Sequence, residues 1–161
     1  MKMQHNKQSH DMGNKMYLKF ALMILLSFFA MYILMYAMVD SFSNVFPNVN
    51  QFYMAGLMTM PMVIFELIIM GGMYMKKKLN IIIMITGCIL GIGFYAGIRQ
   101  QAGVGDRQFL KSMIPHHAAA ILMGNEASVT DPEIKELIKN IITSQQLEID
   151  QMKAKLKELD K

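Results

Sequence analysis

The sequence holds one cysteine, Cys88, among its 161 residues. A single thiol excludes an intrachain disulfide framework and any Cys-x-x-Cys metal knuckle. Cys88 sits in an apolar run, where an inert thiol is expected. Tryptophan is absent. Also missing are a P-loop, a Gly-x-Ser-x-Gly elbow, a His-Glu-x-x-His pair and the Glu-x-x-His of a ferritin-type di-iron centre. The chain therefore reads as a protein that is not an enzyme. Acidic charge is scarce in the first part. Residues 1–98 hold three Asp/Glu against seven Lys/Arg, whereas residues 99–161 hold nine of each. The formal charge of +4 thus comes from lysines flanking apolar runs. That is a membrane-topology pattern and not a nucleic-acid footprint.

Methionine and long apolar runs are abundant. Sixteen of the 19 methionines precede residue 85. Three segments have the length a bilayer needs, about 20 residues at 1.5 Å each. They are Met16–Val39, Phe52–Met75 and Leu79–Ile98. The first is too long for a signal-peptide core, and no small-x-small cleavage site follows it. Pro61 lies inside the second, where neighbouring helices can satisfy the freed carbonyl. Gly87, Gly91, Gly93 and Gly97 give the third two G-x-x-x-G spacings, which favour close helix packing. Asp40–Gln51 reads as a loop, with Asn44, Pro47, Asn48 and Asn50 as turn formers.

The basic residues set an orientation. Lys2, Lys7 and Lys15 precede the first span, Lys76–Lys78 follow the second, and the loop between has none. The positive-inside rule puts the tail and the Lys76–Lys78 turn in the cytoplasm, and residues after Ile98 outside. Residues 1–15 read as a flexible cytoplasmic tail whose His5, His10, Met1, Met3 and Met12 could hold a soft metal loosely. Glu66 is the one acid within a span. Met58, Met62 and Met70 stand at four-residue steps from it, so the stripe is either a soft-ligand path or ordinary packing around a hydrogen-bonded acid.

The chemistry concentrates in Phe109–Ala127, FLKSMIPHHAAAILMGNEA. Wound at 100° per residue, Phe109, Met113, His116, Ala120, Met123 and Ala127 fall within roughly 40° of one line, with His117 and Gly124 on the flank. Thioether and imidazole on one face suit Cu(I) better than Mg²⁺ or Ca²⁺. The same residues would also serve as ordinary core. Pro115 should kink this helix or start a new segment. Residues 99–105 read as a linker, and Asp106 is a candidate cap. Ser128–Asp131 is a turn, with Thr130 or Asp131 as cap and Pro132 at the first helical position.

The last helix carries Ile134, Leu137, Ile138, Ile141, Gln145, Glu148, Met152, Leu156 and Leu159 within about 60° of one line. Gln145 and Glu148 interrupt that apolar stripe. In an antiparallel hairpin they would approach Met113, His116 and His117, so a carboxylate could orient an imidazole or bind metal itself. So small a unit needs a partner for its core. A second copy, giving a four-helix bundle, or the membrane helices would supply it.

These residues carry a resemblance. F-L-x-x-M-I-P-H-H-x-x-A-I-x-M from Phe109 to Met123 is followed by I-x-x-L-I-x-x-I-I-x-x-Q-x-x-E-I-x-x-M from Ile134 to Met152. Together they resemble the ferritin-like domain-of-unknown-function family 305, over roughly residues 105–157. Met16–Ile98 resembles the three-span membrane leader of some bacterial members, most clearly at Met31–Asp40. The resemblance implies helical hairpins arranged as in ferritin-like bundles, and copper or silver binding outside the cytoplasm in some members. It implies Met113, His116, His117 and Met123 as ligands faced by Gln145, Glu148 and Met152. This chain has one hairpin where fuller members have two, which favours oligomerisation.

The expectation is an all-α protein: three transmembrane helices (residues 16–98), then an extracytoplasmic antiparallel hairpin (residues 106–161), half of a ferritin-like bundle. It would sit in a bacterial plasma membrane as a homo-oligomer and bind soft metal, Cu(I) first, in metal tolerance or buffering. The metal residues would be Met113, His116, His117, Met123, Glu148 and Met152. The rival is a structural or assembly protein whose hairpin mediates oligomerisation.

Overall fold

The computed structural model describes the backbone of residues 2–161 and the side chains of residues 15–161, so the His and Met side chains expected to hold a soft metal at residues 1–15 lie outside the described ones. Five α-helices run in order: α1 (Lys2–Leu34), α2 (Val49–Ile69), α3 (Lys77–Gln100), α4 (Asp106–Glu126) and α5 (Pro132–Leu159). Short 3₁₀ turns cover Met35–Met38 and Phe42–Asn44. No strand occurs among the described residues. Three segments are long and apolar enough to cross a membrane: Lys15–Met38, Val49–Ile69 and Lys77–Gln100.

The second apolar helix ends six residues earlier than its hydropathy suggests. It stops at Ile69 instead of running to Met75. A Cβ on Gly71 would stand 2.7 Å from the carbonyl oxygen of Leu67, so only glycine fits there. The chain then turns, and Met73 N donates to Met70 O.

The contacts divide the chain into two compact units. The first comprises Met1–Tyr32 with Tyr53–Gln100. Its core is Phe20, Val63, Leu67 and Tyr74, with Met16, Met23, Met60 and Met84 packed around them. Glycine brings α2 and α3 together from both sides. Gly56 of α2 receives the ring of Phe94, and Gly97 of α3 receives the ring of Tyr53. Gly87 and Gly91 also meet α2 side chains, whereas Gly93 meets nothing. A polar chain closes one end. Tyr17 OH donates to Asn80 Oδ1 at 2.6 Å, Asn80 Nδ2 to Tyr74 O at 2.9 Å, and Tyr74 OH to Glu66 Oε1 at 3.0 Å. Glu66 is thus hydrogen-bonded, as expected of an acid so placed, while Met58 and Met70 are exposed.

The second unit comprises Ile33–Phe52 with Gln101–Lys161. Its core joins Ile114, Ala118 and Ile121 of α4 to Ile149 of α5. Ile142 and Met152 pack on that cluster, and so do Val39 and Phe46. The loop between α1 and α2 therefore completes the core of the α4–α5 pair. Small residue number limits what two helices can bury alone, and the loop offsets that limit.

Candidate functional site

Local rules set the ends of α4 and α5. Asp131 caps α5, its side chain accepting from Glu133 N at 2.8 Å and Ile134 N at 3.1 Å, with Pro132 beginning the helix. At α4 the cap is Gly105. Asp106 stands one place later, in the first turn, where a carboxylate complements the helix dipole. The helix starts no new segment at Pro115, which lies buried inside it. Proline denies the carbonyl of Lys111 its helical partner. Asn48 Nδ2, from the loop, reaches that oxygen at a long 3.5 Å. Two neighbours support this docking. Gln108 Oε1 accepts from Val49 N at 3.1 Å, and Asn50 Nδ2 donates to Ser112 Oγ at 3.3 Å. Val39, Phe46, Asn48 and Gln108 thus matter to this unit, although in the sequence Val39 is a span end, Phe46 and Asn48 are loop residues and Gln108 is a helix residue, with no signal that they meet.

The pairing of α4 with α5 runs in opposite directions. Arg107 pairs with Asp160, His117 with Glu148, and Gly124 faces Ile142. A Cβ on Gly124 would stand 3.0 Å from Ile142 Cγ1 and 3.2 Å from Ile138 Cγ2. A side chain at this position would press on α5, so the helices approach closely there.

The buried face of α4 is Ile114, His117, Ala118 and Ile121. It lies about a third of a turn from the Phe109–Met113–His116–Met123 line, at 100° per residue. That line faces outward: Phe109, His116 and Met123 are exposed, and Met113 is partly so. On α5, Ile149 and Leu156 are buried, Gln145 and Met152 are half-buried, and Glu148 is exposed. Register sets Met113 level with Met152, and His117 with Glu148. Met123 falls near Thr143, between one and two turns beyond the His117–Glu148 level. Of the six candidate metal residues, the helix pair therefore brings five within about one turn of each other along the helices, with His116 on the outward side, and leaves Met123 apart.

The two histidines differ. His116 is exposed, with its ring centroid 6.3 Å from that of His117. His117 is 7% exposed and engaged at both nitrogens. Nδ1 is 2.9 Å from Met113 O, and Nε2 is 2.6 Å from Glu148 Oε2. A carbonyl only accepts, so Nδ1 carries hydrogen. One further proton then lies between Nε2 and the carboxylate. A metal at Nε2 would have to replace that proton. Among the described residues no three His, Cys, Asp or Glu side chains converge into a metal-binding group. A site here must draw on the thioethers of Met113 and Met152, a donor set that suits a soft ion.

A family model described as Domain of unknown function (DUF305) matches residues 70–156. The match starts before α3, so it takes in an apolar helix as well as the α4–α5 pair. The chain is also similar to a viral protein, the Uncharacterized protein L153 of Acanthamoeba polyphaga mimivirus. The two are 40% identical over 150 residues, which is 91% of this chain and 95% of that one. No solved structure matches the chain. With a family match over more than half its length, carrying the Met113–Met123 motif and the Glu148 partner, the chain belongs to the DUF305 family.

Proposed function

We propose that this is an integral membrane protein that binds a soft metal ion, Cu(I) first, on its C-terminal helical hairpin. It would buffer the ion or hand it over under metal stress, without catalysis. The observation that carries this reading is the split between adjacent histidines. His116 is exposed on the face of Met113 and Met123, while His117 is buried and held by Glu148. One imidazole is open to an incoming ion, and the second is positioned behind it. Imidazole with thioether favours Cu(I) over oxygen-seeking cations. The lysine pattern supports a cytoplasmic N-terminus and a hairpin outside the plasma membrane.

A second reading, self-assembly through the hairpin, rests on a different observation. Phe109, Met123, Ile134, Leu137 and Ile141 are all exposed. On helical wheels these residues fall on one side of the α4–α5 pair. A second copy laid on that side would cover them and form a four-helix bundle. The two readings are separated by a Cu(I) competition titration on the full-length protein in detergent, beside the His116→Ala/His117→Ala double variant. Binding lost with assembly intact supports the metal site. Equal binding in both leaves assembly as the function.

A further inference from the structure

A cleft of about 310 Å³ lies at the other end of the second unit, away from the histidines. Ser43 and Phe46 of the α1–α2 loop form one wall, and Lys153, Leu156, Lys157 and Asp160 of α5 form the other. Its floor is apolar, with Leu156 buried and Phe46 half-buried. Asp160 is paired with Arg107, and the neighbouring Lys155 is held by Glu158 at 2.8 Å. Among the described residues neither Lys153 nor Lys157 has an ion-pair partner. Asp40, the one acid of the loop, accepts from Asn44 Nδ2 at 2.7 Å. Two lysines without an ion-pair partner and the Ser43 hydroxyl, 2.8 Å from that of Ser41, thus line the cleft.

The chain tethers one wall of this cleft to the ends of two apolar spans. The first apolar span ends at Met38 and the second begins at Val49. Phe46 is three residues from Val49, and Ser43 is five from Met38. At ~3.5 Å per residue the tether holds Phe46 within about 10 Å of a span end. Phe42, beside Ser43, is 91% exposed, an aromatic side chain with no protein neighbour to cover it. An exposed apolar ring and unpaired lysines at a span end match the lipid interface, the ring for the acyl boundary and the lysines for the headgroups.

We propose that the Ser43–Lys153–Lys157 cleft binds the phosphate of an anionic phospholipid headgroup, with Phe42 set among the acyl chains beside it. The lysines and a serine hydroxyl contact the phosphate, and the Phe46–Leu156 floor lies under the glycerol. The proposal rests on the membrane-spanning part of the function proposed above and needs no metal.

The test counts lipids retained by the full-length protein in native mass spectrometry after incubation with phosphatidylglycerol or phosphatidylcholine. Lys153→Gln/Lys157→Gln is compared with Lys77→Gln/Lys78→Gln, which alters a different basic cluster. The expected result is one preferred phosphatidylglycerol, bound about thirtyfold more weakly in the Lys153/Lys157 variant, five- to sixfold per ammonium. The Lys77/Lys78 variant keeps that lipid, and helix content is unchanged in both. Equal retention by wild type and the Lys153/Lys157 variant overturns the proposal. So does displacement of the lipid by inorganic phosphate at the same concentration, which would make the cleft a free-phosphate site. Carbonate extraction of the same membranes reads the spanning claim separately, since release of the protein would sink that claim whatever the lipid count.

Discussion

His117 Nε2 stands 2.6 Å from Glu148 Oε2, and this contact ties α4 to α5 across 31 residues of sequence. It holds a buried ring in one orientation while its neighbour His116 stays in solvent. The pair is both a structural tie and a lock on one candidate ligand.

Glu148→Ala should therefore loosen the helix pair. It leaves Nε2 of a buried ring without its partner, at a cost of about 1–3 kcal/mol. Glu148→Gln keeps one hydrogen bond and should cost less. Thermal unfolding followed by helix circular dichroism, in the same detergent for all three proteins, checks the order. Equal midpoints for Ala and wild type would show that the contact contributes nothing.

Asn48→Ala should destabilise the same unit from the loop side. The Asn48 side chain reaches the Lys111 carbonyl that Pro115 leaves open, and it also accepts from Gln51 N at 2.9 Å. Losing these bonds should cost about 1 kcal/mol. Hydrogen exchange should rise at the amides of the α2 start and the α4 N-terminal half. If it rises only at residue 48 and its immediate neighbours, the loop does not support α4.

Tyr74 should be a late-titrating phenol. Burial first, then the Glu66 carboxylate, pushes it from 10.0 to about 12. The native state thus holds its proton more tightly than the unfolded chain does. The stability this contributes is complete below pH 10 and is lost as pH rises from about 10 to about 12. In a spectrophotometric phenol titration, the difference between wild type and Tyr74→Phe should appear near pH 12. A difference centred near pH 10 would contradict the contact with Glu66.

Leu137→Glu/Ile141→Glu tests the assembly face. Both residues are exposed on one strip of α5, so a monomer should tolerate the change within about 0.5 kcal/mol. If a second copy covers that strip, the variant should run as a monomer by light scattering in detergent while wild type does not. An unchanged mass for both would remove this face as the contact.

Much of the helix plan was legible because its signals are local. Runs of some 20 apolar residues place α1, α2 and α3 in the chain, although α1 begins at Lys2, well before its apolar run, and Asp131–Pro132 announces α5. The inward face of α4 was not legible. Both its Phe109–Met113–Met123 side and its Ile114–Ala118–Ile121 side are apolar, so periodicity cannot choose between them. The choice is made by what packs there: Ile149 and Ile142 from α5, Val39 and Phe46 from the loop. The loop was read as turn residues because Asn44, Asn48 and Asn50 are turn formers. The docking of Asn48 and Asn50 depends on Lys111, Gln101 and Ser112, more than 50 residues away. The early end of α2 was hidden for a similar reason. Hydropathy continues through Met75, and only the close approach of Gly71 to the Leu67 carbonyl shows where the helix must stop.

The central claim is that an exposed imidazole binds the metal and that a carboxylate gates the second. The most direct measurement is a Cu(I) competition titration of the full-length protein beside His116→Ala, His117→Ala and Glu148→Gln, with proton release recorded in each. His116→Ala should weaken binding at least tenfold. Wild type should release a proton on binding, because metal at Nε2 displaces the one shared with Glu148, and His117→Ala should not. Wild-type affinity in His116→Ala and His117→Ala alike, or no measurable Cu(I) binding by wild type, would contradict the claim.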